Sequence, residues 1–107
     1  MLYKFKSKAA GDLIMLEPNG RRVLEIIGKD PAPKGIIETQ QMPAAIQALE
    51  AAIVREEAEQ QALVEEARAK GEVPPTFAEV SLRQRALPFI DMLTRCQKAG
   101  KEIVWGV

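Results

Sequence analysis

Apolar and polar residues alternate at the start of the chain. Tyr3 and Phe5 fall on one side of an extended segment, Lys4 and Lys6 on the other, and Lys8 continues the polar row. A period of two marks a half-buried strand, so a strand is predicted over residues 2–7. Ala9–Gly11 reads as a break. The run Asp12–Glu17 has two readings, the start of a helix or extended chain leading into one. Pro18 is tolerated in a first helical turn, which places a first helix over 18–27. Val23, Leu24, Ile26 and Ile27 supply its buried side, and Gly28 its stop. Pro31 and Pro33 keep 28–35 a loop, and Gly35–Glu38 is a short apolar step of extended character.

The longest periodic segment follows. Pro43 fits a first turn, with Gln40 or Gln41 left to cap it, and from Ala44 to Lys70 there is neither glycine nor proline. Ala, Glu, Gln, Leu and Arg dominate, all strong helix formers. A helix over 43–70, ended by Gly71, would be about 40 Å long. A compact chain of this length is only about 35 Å across. The helix should overhang its domain. Met42, Ile46, Leu49 and Ile53 keep the spacing of one packed face, but the same rhythm then lands on Glu56 and Gln60. It returns to apolar residues at Leu63 and Ala67. The second half of the helix therefore cannot be buried deeply. Glu56, Gln60, Leu63 and Val64 are a candidate self-association surface, unless the segment after Gly71 covers it.

Residues 71–80 form a linker around Pro74-Pro75, with room for a single turn at 76–80. Two capping boxes compete beyond it, Thr76 with Glu79 and Ser81 with Gln84; the second is preferred. A helix over 82–99 then presents Leu82, Ala86, Phe89, Leu93 and Cys96 as one stripe and stops at Gly100. Pro88 inside it removes a backbone bond and should bend the axis. Residues 101–106 alternate again, with Ile103 and Trp105 on one side, and read as a strand. The economical arrangement is an α+β fold of order β-α-α-α-β. Its terminal strands pair as an antiparallel two-stranded ribbon that leans on the helices.

Composition narrows the chemistry. The 107 residues contain no histidine and one cysteine, Cys96, which removes intrachain disulfides, His-based triads and the usual zinc sites. Cys96 sits on the buried stripe and reads as a small hydrophobe. An unpaired thiol and the lack of an apolar leader fit a cytoplasmic protein, and no apolar run approaches a membrane span. No catalytic residue, metal ligand or cofactor is assigned, which points away from an enzyme. The balance of 15 basic against 15 acidic groups is segmented. Residues 1–34 carry a net of +3, residues 35–79 a net of −6 and residues 80–107 a net of +3. Basic ends folding back on an acidic middle would lower self-repulsion without any charged partner.

The arginines of Arg83-Gln84-Arg85 stand in the first turns of a helix, where positive charge opposes the helix dipole. They need carboxylate partners, for which Glu50, Glu56 and Glu57 on the long helix are the candidates, or they bind an anion. Arg83, Arg85, Arg21, Lys4 and Lys6 are therefore a candidate interaction or anion patch.

Four strings carry a resemblance: the opening MLYKFKSK, Leu24-Glu-Ile-Ile-Gly-Lys29, Met42-Pro-Ala-Ala-Ile46, and Val80-Ser-Leu-Arg-Gln-Arg-Ala86 followed by Pro88. With them the chain resembles, over nearly its whole length, a family of small proteobacterial proteins catalogued as domain of unknown function family 1840. That family brings no established activity and no residue roles. The residues themselves favour a small cytosolic protein-interaction or assembly domain, with a protein partner or self-association. The alternatives are a nucleic-acid-associated module using Lys4, Lys6, Arg21, Arg83 and Arg85, and a binder or enzyme for a small anionic ligand.

Overall fold

The alternation of Tyr3 and Phe5 with Lys4 and Lys6 is realised in strand β1, Leu2–Ser7, whose aromatic side chains are buried while Lys4 faces solvent. In this computed structural model, which describes residues 2–77 and 81–106, β1 is followed by β2 (Ala10–Leu16) and α1 (Glu17–Ile26). Then come β3 (Gly35–Ile37), a single 3₁₀ turn (Thr39–Gln41), α2 (Met42–Ala69), α3 (Leu82–Ala99) and β4 (Ile103–Trp105).

The terminal strands pair antiparallel, with Phe5 opposite Trp105 and Lys6 opposite Val104. The expected two-stranded ribbon is the centre of a wider sheet, however, in the order β2-β1-β4-β3. β2 extends one side, with Leu2 opposite Leu16 and Phe5 opposite Leu13. β3 extends the other, with Ile37 opposite Ile103. The expected break at Ala9–Gly11 shrinks to the two residues Lys8 and Ala9. This hairpin lacks the usual glycine or asparagine turn. Its register shifts between Phe5 and Ser7, and the Ser7 hydroxyl accepts the Ala9 N–H at 3.3 Å. A two-residue turn without a left-handed residue leaves no conspicuous mark in a sequence. The two added strands have a physical reason: they pair with the outer backbone rows of β1 and β4 and give the helices more surface to cover.

Each helix stops on a glycine with positive φ, Gly28, Gly71 and Gly100. At each stop two N–H groups turn back onto the last carbonyls, as when Lys29 donates to Leu24 (2.8 Å) and Gly28 to Glu25 (3.1 Å). The Ser81–Gln84 box caps α3 in both directions, at 3.2 and 3.0 Å. The cap ahead of α2 is a correction. Neither Gln40 nor Gln41 caps; Glu38 accepts from the backbone of Gln41, whose side chain accepts the Glu38 N–H at 3.0 Å. The turn expected over 76–80 falls mostly on residues outside the described ones.

The helices cover one face of the sheet. Tyr3, Phe5, Ile37, Ile103 and Trp105 meet Val23 and Leu24 of α1, Met42, Leu49 and Ile53 of α2, and Phe89, Leu93 and Cys96 of α3. Phe5 lies at the centre, its ring 4.7 Å from Phe89 and 6.0 Å from Trp105. Two aromatic polar tips pin the 28–34 loop to the sheet. The Tyr3 hydroxyl donates to the Pro31 carbonyl (2.8 Å) and the Trp105 indole N–H to that of Ala32 (2.9 Å). The molecule measures 52 × 28 × 22 Å because α2 runs past the body. Four of its residues from Met42 to Ile53 are buried, and beyond Ile53 only Ala67 is.

Candidate functional site

Two adjacent acids of α2, Glu56 and Glu57, meet the start of α3. Helical geometry turns neighbouring side chains about 100° apart, so the two carboxylates serve different partners. Glu57 accepts a two-pronged bond from Arg83, Nε to Oε2 and Nη2 to Oε1, both 2.8 Å. This fork is the stronger geometry for an arginine–carboxylate pair. It holds the Glu57 carboxyl below its ordinary range; partial desolvation works against that, and the positive charge of Arg83 reinforces it. The same contact raises the Arg83 guanidinium above its usual value. Glu56, half-buried, accepts the backbone N–H of Leu82 at 3.0 Å and the Arg22 guanidinium of α1 at 3.0 Å. It therefore satisfies one of the unpaired N–H groups at the start of α3 and places negative charge where the dipole favours it.

The structure disperses the candidate anion patch. Arg83 is engaged with Glu57, and Arg21 lies 3.7 Å from Glu17 within α1. Lys4 lies 3.6 Å from Asp12 on the outer face of the sheet, and Lys6, opposite Val104, shares that face. Arg85 stands apart, half-buried in a groove of about 290 Å³ between β2 and α3, and has no carboxylate partner among the described residues. The sequence offered Glu50, Glu56 or Glu57 as partners for Arg83 or Arg85; Arg83 takes Glu57, and Arg22 takes Glu56. Only the packing of α1 on α2 distinguishes Arg22 from Arg21.

The candidate self-association surface also divides. Glu56 is occupied within the chain, Gln60 and Val64 are half-buried, and Leu63 is 49% exposed. The segment after Gly71 turns back along the end of α2, and Val73 and Pro75 form with Leu63 and Ala67 a groove of about 300 Å³. Sequence analysis missed the outer face of the sheet. Leu2, Ile14, Leu16 and Ile36 are exposed there, beside Lys4 and Lys6. The missing signal was β2 itself: Ile14 and Leu16 share a face only once the run is extended.

Among the described residues no three acidic or cysteine side chains gather as metal ligands, and no charged side chain is buried. No helix of the described residues is long and apolar enough to cross a membrane.

No curated protein and no solved structure matches the chain. One family does, described as Domain of unknown function (DUF1840), over residues 1–105. The strand, helix end and SLRQRA helix start that carried the resemblance all lie inside that span, and the chain accordingly belongs to the DUF1840 family.

Proposed function

We propose that this domain is a non-catalytic interaction and assembly module of the cytoplasm. The observation that carries the reading is the apolar surface the fold leaves uncovered. Leu2, Ile14, Leu16 and Ile36 lie on one sheet face, and Leu63 and Val73 share a groove at the overhanging end of α2. Single exposed apolar side chains need no explanation, but grouped ones mark contact surfaces. The cytoplasmic assignment rests on one unpaired, buried thiol in a chain without a partner for it.

The nucleic-acid and anion-binding alternatives draw less support. Both need the cations to converge, and Lys4, Arg21 and Arg83 each face a carboxylate instead. Photo-crosslinking side chains placed at Ile14 and, separately, at Leu63 test the reading in living cells. Discrete protein adducts are expected at one position or both. Nucleic-acid adducts alone, or no adduct at either position, would overturn it.

A further inference from the structure

We propose that β2 is the contact through which two copies of this chain associate: Asp12–Leu16 pairs antiparallel with the same segment of a second copy across a two-fold axis. The inference rests on the assembly reading and names its partner.

The sheet has two edges, and they differ. β3 has three residues, follows Pro33 and Lys34, and is short enough to resist further pairing. β2 has seven residues, contains no lysine, arginine or proline, and carries one charge, Asp12. In an antiparallel pair, half the peptide groups of a strand point away from its neighbour. Those of β2 find no hydrogen-bond partner among the described residues. A long, apolar, unguarded edge is a template for another strand. Natural domains usually blunt such an edge; this one adds apolar side chains to it. Leu16 is 62% exposed, Ile14 55%, and Leu2, opposite Leu16, 59%.

A second copy fits this edge. The pairing is isologous, so one strand supplies both halves of a closed, symmetric contact. With the axis at Ile14, the two copies of Ile14 meet on the outer face, and each Leu16 lies opposite the partner's Asp12. The one charge on the strand is already neutralised by Lys4 within its own chain at 3.6 Å, so no like charges meet across the axis. On the inner face, the groove between β2 and α3 leaves room against Pro88 and Arg85 for the partner's half-buried Leu13. The area sets the strength of the contact. The five paired residues span about 17 Å, and a sheet with one helix layer is about 20 Å deep, giving roughly 700 Å² in total over both copies. That is below the size of a standard stable interface, so the dimer should be weak and concentration-dependent. The resulting eight-stranded sheet lies within the natural range.

Sedimentation of the full chain from low micromolar to near-millimolar concentration is the test, with Ile14→Lys and Leu63→Ser beside the wild type. Both positions are exposed, and circular dichroism and thermal melting would confirm that the variants fold. The wild type should pass from monomer to dimer. Ile14→Lys, which sets two cations near the axis, should weaken the dimer by about tenfold or more. Leu63→Ser should leave it unchanged, and amide protons within residues 12–16 should exchange more slowly as concentration rises. A wild type that stays monomeric overturns the proposal. If crosslinks to other proteins still form, the assembly reading survives that result. A dimer abolished by Leu63→Ser but indifferent to Ile14→Lys overturns the proposal too, and moves the contact to the α2 arm.

Discussion

Arg83 is the residue whose environment most changes its meaning. Placed near the start of α3, it opposes the helix dipole, and the two-pronged bond to Glu57 answers that conflict. Both groups are open to water, so salt screens the pair and its contribution is small. Its pH dependence has a definite sign. The Glu57 carboxyl is held below its ordinary value, so the folded chain favours the ionised form. The stability this adds is complete above the unfolded carboxylate pKa of about 4.3 and is lost as pH falls through the lower folded value. The melting temperature of the wild type should exceed that of Glu57→Gln near neutrality, and the gap should close in acid. Scanning calorimetry of both proteins across that range checks it; a gap that ignores pH would show that the bond is not charge-assisted. The glycines that end the helices and the Ser81–Gln84 box were legible at this scale, because each involves residues within a few positions of one another. The Arg83–Glu57 bond spans 26 positions and was legible only as a need for some carboxylate.

Among elements, the three helices share one fastening point. Glu56 of α2 receives Arg22 of α1 and the first N–H of α3. Removing its carboxylate leaves the half-buried N–H of Leu82 without a partner and releases α1 from α2. Glu56→Ala should cost about 1–2 kcal/mol, the usual range for losing a helix-capping acceptor with a charged bond. Chemical denaturation reads this directly, and a loss no larger than that of an exposed control such as Glu59→Ala would refute the role. The sheet taught the opposite lesson about legibility. β1 announces itself by alternation, whereas β2 presents Leu13 to Leu16 as an unbroken apolar run. Such a run does not distinguish strand from helix by periodicity. Only pairing with β1 assigns Leu13 and Met15 inward and Ile14 and Leu16 outward.

For the molecule as a whole, α2 is one continuous helix with two environments. Leu49 is fully buried in the common core, while Leu63, fourteen positions on, is 49% exposed on the overhang. The same substitution should therefore have unequal effects. Leu49→Ala should cost about 2–5 kcal/mol through lost transfer energy and a residual cavity. Leu63→Ala should stay within about 0.5 kcal/mol for the monomer. Urea titrations at low protein concentration compare them, and similar losses would mean that the arm is packed after all. The charge segmentation belongs to this scale as well. Basic residues of α1 and α3 do lie against the acidic face of α2, through Arg22 and Arg83. Two ion pairs thus join the basic ends to the acidic middle.

By itself the sequence determined the three helices and where each stops, the paired terminal strands, the overhang of α2, and the lack of histidine chemistry. Each follows from local periodicity, from capping geometry or from composition, which act over a few residues or need no geometry at all. Tertiary structure alone decided the width of the sheet, the choice of Arg22 over Arg21 for Glu56, and the dispersal of the candidate cation patch. It also decided that an apolar strand would stand at an open edge. These depend on which surfaces remain after distant segments pack, and an alternating or helical pattern says which face is apolar but not what will cover it.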